Sequence, residues 1–230
     1  MDENGIARVL RGTAPGRQEI EKLSAGSGPA ALIECDLSEA DLSRLSLSGW
    51  RFERCEVRKA SFAGAALVGT HWKSCRGPHA NFTGADLAEA RFAGCDFNNA
   101  AFRRTLLTDA AFTGCKLTGA DLTEARAMDL KLEEVLLIGA TLPGLSFRRQ
   151  TLARVDLEQA DLSKCDFREA VLDGCSLRDA VLKGARFEKA DLRRADLGGL
   201  RLVDAALFRG ATISREQAAQ LIAELGLRLA

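Results

Sequence analysis

One spacing constrains this chain more than any other feature: between Leu152 and Leu207 a large apolar residue recurs every five residues. A small residue stands two places before most of these, and polar residues or glycine fill most of the remaining places. Amphipathic helices repeat their apolar positions about every 3.6 residues and half-buried strands every second residue, so a period of five fits neither. The spacing requires a backbone that turns a corner every five residues.

The same phase extends from Leu32 to Leu207, which gives 36 units of five residues. The central residue is Leu, Phe, Val or Trp in 34 of them, and the exceptions are Gly77 and Ala127. No insertion interrupts the phase over this length. Repetition of this kind indicates a solenoid, in which each unit packs only on its neighbours.

The units resemble those of the pentapeptide-repeat proteins, whose consensus is approximately A(D/N)LXX. Ala85–Glu89, Ala120–Glu124 and Ala160–Lys164 match it directly, and the resemblance covers about residues 30–210. It implies an all-β solenoid, a right-handed quadrilateral β-helix in which each unit forms one side of a square and four units form one coil.

A coil of 20 residues agrees with the aromatic residues, because those at central places then form columns that can fill a narrow interior. With 36 units the chain makes about nine coils, and at a strand spacing of about 4.8 Å the rod is about 40 Å long. The columns are Phe52, Trp72, Phe92 and Phe112; Phe62, Phe82 and Phe102; and Phe147, Phe167 and Phe187.

Residues 1–29 lie outside the repeat. Ile6, Val9 and Leu10 stand at helical spacing, and a second short helix is predicted around Ile20, after a Pro-Gly break. Because the open end of a solenoid needs covering, we expect this segment to form a helical cap. An arm that binds a partner is the alternative.

Residues 211–230 change to helical periodicity. Ser214 and Gln217 form a capping box, and Gly226 is placed to end the helix. The segment resembles the C-terminal helix through which some members of the family dimerise, so a homodimer is expected, with a simple end cap as the alternative. The residues assigned to the dimer interface are Leu221, Ile222, Leu225, Leu227 and Leu229.

Three stretches depart from the pattern. Leu45 and Trp50 occupy small-residue places and predict a bulge in the first coils. At residues 75–80, Gly77 leaves the interior unfilled and Pro78 lacks an N–H donor, which predicts an exposed loop or kink. Pro78 and His79 are therefore candidate partner-binding residues. Residues 126–145 predict a waist or bend, since Ala127 is small for a central place.

Twelve of the 21 glycines occupy the last place of a unit. A corner that needs a positive φ favours glycine there, so these glycines are assigned a geometric role.

The seven cysteines all occupy the small place of a unit, and six of them belong to one column. Side chains stacked in parallel hold their Cβ atoms too far apart for the usual disulfide, so the cysteines are interpreted as buried filler. With two histidines and no nucleophile triad or metal-ligand spacing, the sequence favours a protein that is not an enzyme and that binds no metal or other cofactor.

The 32 basic and 32 acidic residues balance, so nothing favours direct nucleic-acid binding. No apolar run of about 18 residues is long enough to cross a membrane, and the N-terminus does not resemble a signal peptide. Free thiols in an odd number suit a reducing compartment. We therefore expect a cytoplasmic protein.

Binding to another protein remains, and two hypotheses differ in what they require of the surface. The first, which we favour, is a protein-binding scaffold. The second follows from the resemblance: some short members of the family mimic DNA and bind DNA gyrase or topoisomerase IV. That reading requires acidic residues on one face, for which one column offers Asp36, Glu56, Asp96, Asp156 and Asp196.

Overall fold

The structure is a computed structural model that describes residues 8–198, 202–223 and 226–227. The strands are β1 (Arg8–Arg11), β2 (Ala30–Ile33), β3 (Arg51–Glu53), β4 (His71–Lys73), β5 (Arg91–Ala93), β6 (Ala111–Thr113), β7 (Lys131–Glu133), β8 (Thr151–Ala153) and β9 (Val171–Asp173). The helices are α1 (Arg17–Ser24), a 3-10 helix (Leu202–Phe208) and α2 (Arg215–Ala223).

The strands form one parallel sheet in chain order, and from β2 onward the register joins residues 20 apart. Single parallel bridges with the same offset join successive coils on the other three sides, as between Asp36 and Glu56 or between Asp41 and Ser61. The parallel β-solenoid is confirmed. It makes about eight coils, fewer than the nine expected, because the offset of 20 ends where Asp191 bridges Thr212.

The last residue of each unit turns the corner in the left-handed region. Glycines at this place have positive φ, for example 73° at Gly49 and 76° at Gly144, as expected. The sequence did not reveal that 21 other residues in the described part of the chain share this conformation, with φ between 52° at Arg54 and 62° at Lys164. This costs a residue with a Cβ atom about 1–2 kcal/mol, so the ladder on either side of each corner must offset it.

The predicted aromatic columns fill the interior. Ring centroids of Phe52 and Trp72 lie 3.8 Å apart, and those of Phe82 and Phe102 lie 4.9 Å apart. Rings of neighbouring columns meet edge to face, as do Phe82 and Phe92 at 86°. Because these rings are buried, they contribute both apolar burial and the favourable geometry of ring contacts.

The N-terminal segment differs in part from expectation. Instead of a first helix, β1 pairs with β2 in parallel and adds one strand below the first coil. An uncovered strand edge exposes unpaired backbone groups, and β1 satisfies them where a helix could not. The second helix is present as α1, and its Ile20 is buried against the core.

The C-terminal end closes the rod differently from the repeat. The 3-10 helix replaces the coil that the sequence had extended to Leu207, and Phe208 stacks on Phe187 at 4.6 Å. The capping box is present, since the Gln217 N–H donates to Ser214 Oγ at 3.2 Å. The Gln217 amide also donates to the carbonyls of Leu192 and Ala195 at 2.8 and 2.6 Å, which ties α2 to the last coil.

The predicted loop at residues 75–80 is wrong. Gly77 donates to the Asp96 carbonyl at 2.7 Å, so the ladder passes through this unit. The interior is filled from the neighbouring coils, since a Cβ atom added at Gly77 would lie 2.6 Å from Val57 Cγ2 and 2.7 Å from Phe97 Cδ1. Pro78 is tolerated because its place in the unit does not need an N–H for the ladder. In the next coil the N–H at this place, that of Asn98, donates to the side chain of Asp96.

The bulge predicted at Leu45 and Trp50 is also wrong. The bridge from Ser46 to Ala66 is intact, and the Trp50 carbonyl accepts the His71 N–H at 2.9 Å. Trp50 is 2% exposed and packs beside Phe52 with ring centroids 6.4 Å apart. The Trp50 ring therefore packs in the interior at this corner, and the ladder remains intact.

At residues 126–145 the ladder opens on one side. Arg126 bridges Leu106 in the preceding coil but not Ser146 in the next, and β7 and β8 share one pair of partners where most neighbouring strands share three. Buried Leu130 and Leu145 stand where most other coils have a small residue. The opening agrees with the weak pattern around this place, and the bend itself stays a prediction.

The filling of the Gly77 site can be tested by substitution. We expect Gly77→Ala to lower the free energy of unfolding by about 1–3 kcal/mol, because the added methyl group overpacks the interior. Adding Phe97→Leu should recover part of the loss, whereas Pro78→Ala should change stability little. Chemical denaturation measures all three, and an unchanged or raised stability of Gly77→Ala would contradict this packing.

Candidate functional site

The five candidate acidic residues lie in one line along the second face of the rod. This face consists of residues 35–39 and the equivalent unit of each later coil, up to residues 195–198. Parallel bridges join its successive members, so the column is continuous. In order, the column contains Asp36, Glu56, Arg76, Asp96, Lys116, Leu136, Asp156, Ser176 and Asp196.

The aspartates of this column also hold the turns that follow them. Each accepts the N–H of the residue two places on through Oδ1, at 2.9 Å for Asp36, 3.2 Å for Asp96, 3.0 Å for Asp156 and 2.8 Å for Asp196. Such a bond defines an Asx turn. Sequence reasoning assigned these carboxylates to a possible partner-binding face and missed their bonds within the turns, although aspartate before a central residue was a signal for this turn.

Two of these carboxyl groups have a depressed pKa. Hydrogen bonds from the Ser38 side chain and then its backbone N–H lower the pKa of Asp36. The Gly198 N–H and then the Arg178 guanidinium, 2.8 Å away, lower that of Asp196. Both groups are therefore negative at neutral pH and stay so in mild acid.

Basic and apolar residues interrupt the column. Arg76 lies 3.9 Å from Glu56, Nε to Oε1, and Lys116 follows Asp96. Leu136, which is 37% exposed, separates Lys116 from Asp156. The acidic residues thus form two groups on either side of a mixed centre.

Charge is not concentrated on any one face between residues 30 and 198. The second face has eight acidic and five basic residues, the most negative balance of the four. The first face, which contains β2–β9, has six acidic and eight basic residues. The third face, which begins with residues 40–44, has four acidic and five basic residues. The fourth face, which begins with residues 45–49, has seven acidic and six basic residues.

Pro78 and His79 occupy regular places on the second face. Pro78 is half-buried, and His79 is an exposed corner residue with φ of 60°. They lie in the same unit as Arg76 and hence beside the column. Their exposure agrees with a surface role, but the loop that first suggested it does not exist.

A cluster of ion pairs around Asp166 lies on the opposite, fourth face. Asp166 accepts two bonds from Arg168, at 2.8 and 2.7 Å, and one from Arg186 at 2.8 Å. The side-chain bonds from Arg168 are the main reason that the pKa of Asp166 falls to about 2. Sequence reasoning missed this cluster, although Arg186 stands 20 residues after Asp166 and so in the next coil.

The apolar residues assigned to the dimer interface are only partly described. Leu221 and Ile222 are half-buried on α2, and Leu227 is 59% exposed. Leu225 and Leu229 lie outside the described residues. The described members thus place a partly exposed apolar surface at the C-terminal end.

All seven cysteines are buried and free. Burial raises the pKa of Cys165 to about 12 and that of Cys175 to about 11, so both are neutral thiols. Within the described ranges, no three His, Cys, Asp or Glu side chains converge on a point where they could hold a metal. No helix among these residues has both the length and the apolar character needed to span a bilayer.

Structural comparison places the chain beside known four-sided solenoids. QnrB1, a plasmid-mediated fluoroquinolone resistance protein, aligns over 87% of this chain and 100% of its own with a TM-score of 0.77 and 23% identity. A trypsin-treated variant of QnrB1 aligns over 99% and 100%, with a TM-score of 0.57 and 21% identity. At these identities the likeness establishes the fold alone.

HetL, involved in heterocyst differentiation in Nostoc sp. strain PCC 7120, is 24% identical over 86% of this chain and 94% of its own, with a TM-score of 0.45. No curated protein matches the sequence significantly. The family model for the pentapeptide repeat region matches residues 85–162, and the model for pentapeptide repeats (8 copies) matches residues 35–71, 55–92 and 160–199. Together these matches span residues 35–199, and the chain therefore belongs to the pentapeptide-repeat family.

Proposed function

We propose that this protein is a protein-binding scaffold that contacts its partner through the second face. The observation that supports this most is the continuous ladder on that face, which fixes side chains of successive coils one strand spacing apart. A surface already ordered before binding loses little conformational entropy when a partner docks. Such a rod can present a long, rigid row of contacts without a pocket or a moving part.

The middle of this face has the composition of a protein interface. Leu136 is partly exposed and Ile138 is half-buried. Along the rod they lie between Asp96, two coils earlier, and Asp156, one coil later. Protein interfaces commonly combine an apolar centre with a polar rim. The partner that fits is a protein surface with an apolar centre and basic residues toward both ends.

A topoisomerase modulator is the second candidate, and the resemblance to QnrB1 over that protein's full length supports it. DNA mimicry requires about one negative charge per 1.7 Å, which is over twenty for a rod of about 40 Å. The second face has eight acidic residues and five basic ones. We therefore rank a protein that mimics the DNA substrate of gyrase or topoisomerase IV below a general protein-binding scaffold.

Substitution of aspartate by asparagine tests the face without disturbing its turns. Asn keeps the Oδ1 acceptor that each turn uses and removes only the charge. The test variant is Asp36→Asn/Asp96→Asn/Asp156→Asn. The matched control, Asp41→Asn/Asp121→Asn/Asp161→Asn, removes three charges from the third face, where the same turns occur.

Each protein is used as bait in bacterial lysate, with and without competing DNA, and the captured proteins are identified and titrated. We expect a captured partner whose affinity falls at least tenfold with the second-face variant and less than twofold with the control. Capture of gyrase or topoisomerase IV, released by DNA, would favour the modulator. Equal binding by both variants would rule out the second face.

We also propose that the C-terminal end forms a homodimer through the surface around α2. Leu227→Asp should shift the protein toward monomers in analytical ultracentrifugation, because it places a charge in an apolar contact. Val181→Asp, at a residue 50% exposed on the side of the rod, is the control and should leave the mass unchanged. A wild-type protein that stays monomeric at high concentration would contradict the dimer.

A further inference from the structure

Five cysteines stack at one corner of the interior in five successive coils. Each is 0–1% exposed, and each thiol is free. The other two cysteines have no such neighbour, because Cys165 lies between Leu145 and Ala185 and Cys175 lies between Val155 and Ala195 in their columns. The stacked residues, called here the thiol column, are Cys35, Cys55, Cys75, Cys95 and Cys115.

The thiols of the column share one orientation, because Sγ of each donates to the carbonyl two residues before it, at 3.4–3.6 Å. Sγ of Cys55 donates to the Leu32 carbonyl at 3.2 Å, and Sγ of Cys75 donates to the Phe52 carbonyl at the same distance. Each acceptor stands 23 residues earlier in the chain. Because the same bond repeats from coil to coil, neighbouring sulfur atoms are separated by about one strand spacing, about 4.8 Å.

This separation is unsuited to a disulfide, in which Cβ atoms approach to about 3.8 Å and the sulfur atoms to about 2.05 Å. It suits a different bridge. A zinc–thiolate bond is about 2.3 Å long, and a linear arrangement of sulfur, metal and sulfur with bonds of about that length spans about 4.6 Å. The repeat of the backbone ladder therefore sets the spacing that two-coordinate thiolate binding needs.

We propose that the thiol column binds soft monovalent cations of the Cu(I) and Ag(I) class, each held linearly between the sulfur atoms of two adjacent coils. Thiolate ligands select such ions. Zinc is disfavoured because it requires four ligands in a tetrahedron, and no three such side chains converge among the described residues. Five thiols supply two independent pairs, so two ions bind to each chain.

Binding exchanges protons for metal. Each ion displaces the protons of two thiols, which leave to solvent, and two sulfur–metal bonds replace two hydrogen bonds to carbonyls. Because protons and metal ions compete for the same sulfur atoms, uptake weakens as the pH falls. Cys35, at the N-terminal end of the column, is covered by the N-terminal segment, where its Sγ lies 3.7 Å from Thr13 Oγ1.

Two double variants distinguish an effect of the stacked cysteines from an effect of the total number of cysteines. Cys55→Ala/Cys95→Ala leaves Cys35, Cys75 and Cys115 with no adjacent thiol. Cys165→Ala/Cys175→Ala removes as many thiols but keeps the column whole. Alanine already occupies this place in many units, and circular dichroism confirms that each variant is folded.

The probe is Ag(I), which needs no reductant, added to the reduced full-length protein in chloride-free buffer. Native mass spectrometry counts the ions, ultraviolet absorption reports sulfur–metal charge transfer, and a pH indicator reports the protons released. We expect two ions and four protons per chain for the wild type and the Cys165→Ala/Cys175→Ala variant, with a rise in the melting temperature. The Cys55→Ala/Cys95→Ala variant should lose both ions.

Equal uptake by the two double variants would overturn the proposal, as would uptake that begins only in denaturant. Zn(II) at the same concentration is the control ion and should produce neither the absorption nor the rise in melting temperature. A wild type that binds Zn(II) as well as Ag(I) would also contradict linear coordination.

Discussion

The backbone hydrogen bonds that pair residues 20 apart in successive coils are the interaction on which every other feature of this molecule depends. They fix the coil length, and the coil length places every central side chain above its equivalent. The left-handed corners, which cost free energy at residues with a Cβ atom, exist because the ladder resumes after each one. The ladder also sets the spacing of the aromatic rings, the thiols and the outward carboxylates.

Much of the fold could be predicted because the determining signal is periodic. Phe62, Phe82 and Phe102 stack because they stand 20 residues apart, and the sequence shows that spacing directly. The Ser214–Gln217 capping box could also be predicted, because it depends only on residues three apart in the sequence. Where a feature depends on one coil or one turn, the sequence specifies it.

What could not be predicted depends on contacts between coils or at the ends. Gly77 appeared to leave a void, but Val57 and Phe97 fill it, and one unit alone cannot reveal what its neighbours supply. Ile6, Val9 and Leu10 stand at helical spacing in the sequence, yet the unpaired edge of the first coil makes a strand at Arg8–Arg11 the better partner. Gln217 was identified as a cap, while its bonds to two carbonyls of the last coil require the folded end. The alignment of the column from Asp36 to Asp196 follows from the spacing of 20 residues, whereas the bonds of its aspartates within the turns depend on the local backbone.

The ladder of the second face continues through Gly77, whereas that of the fourth face opens between Arg126 and Ser146. Amide hydrogen exchange followed residue by residue by NMR tests this difference most directly. We expect the Gly77 amide, bonded to Asp96, to be as protected as that of Asp166, and the Ser146 amide, which joins no ladder bond, to exchange at least a hundredfold faster. Rapid exchange at Gly77, or protection at Ser146 equal to that of Asp166, would contradict the account.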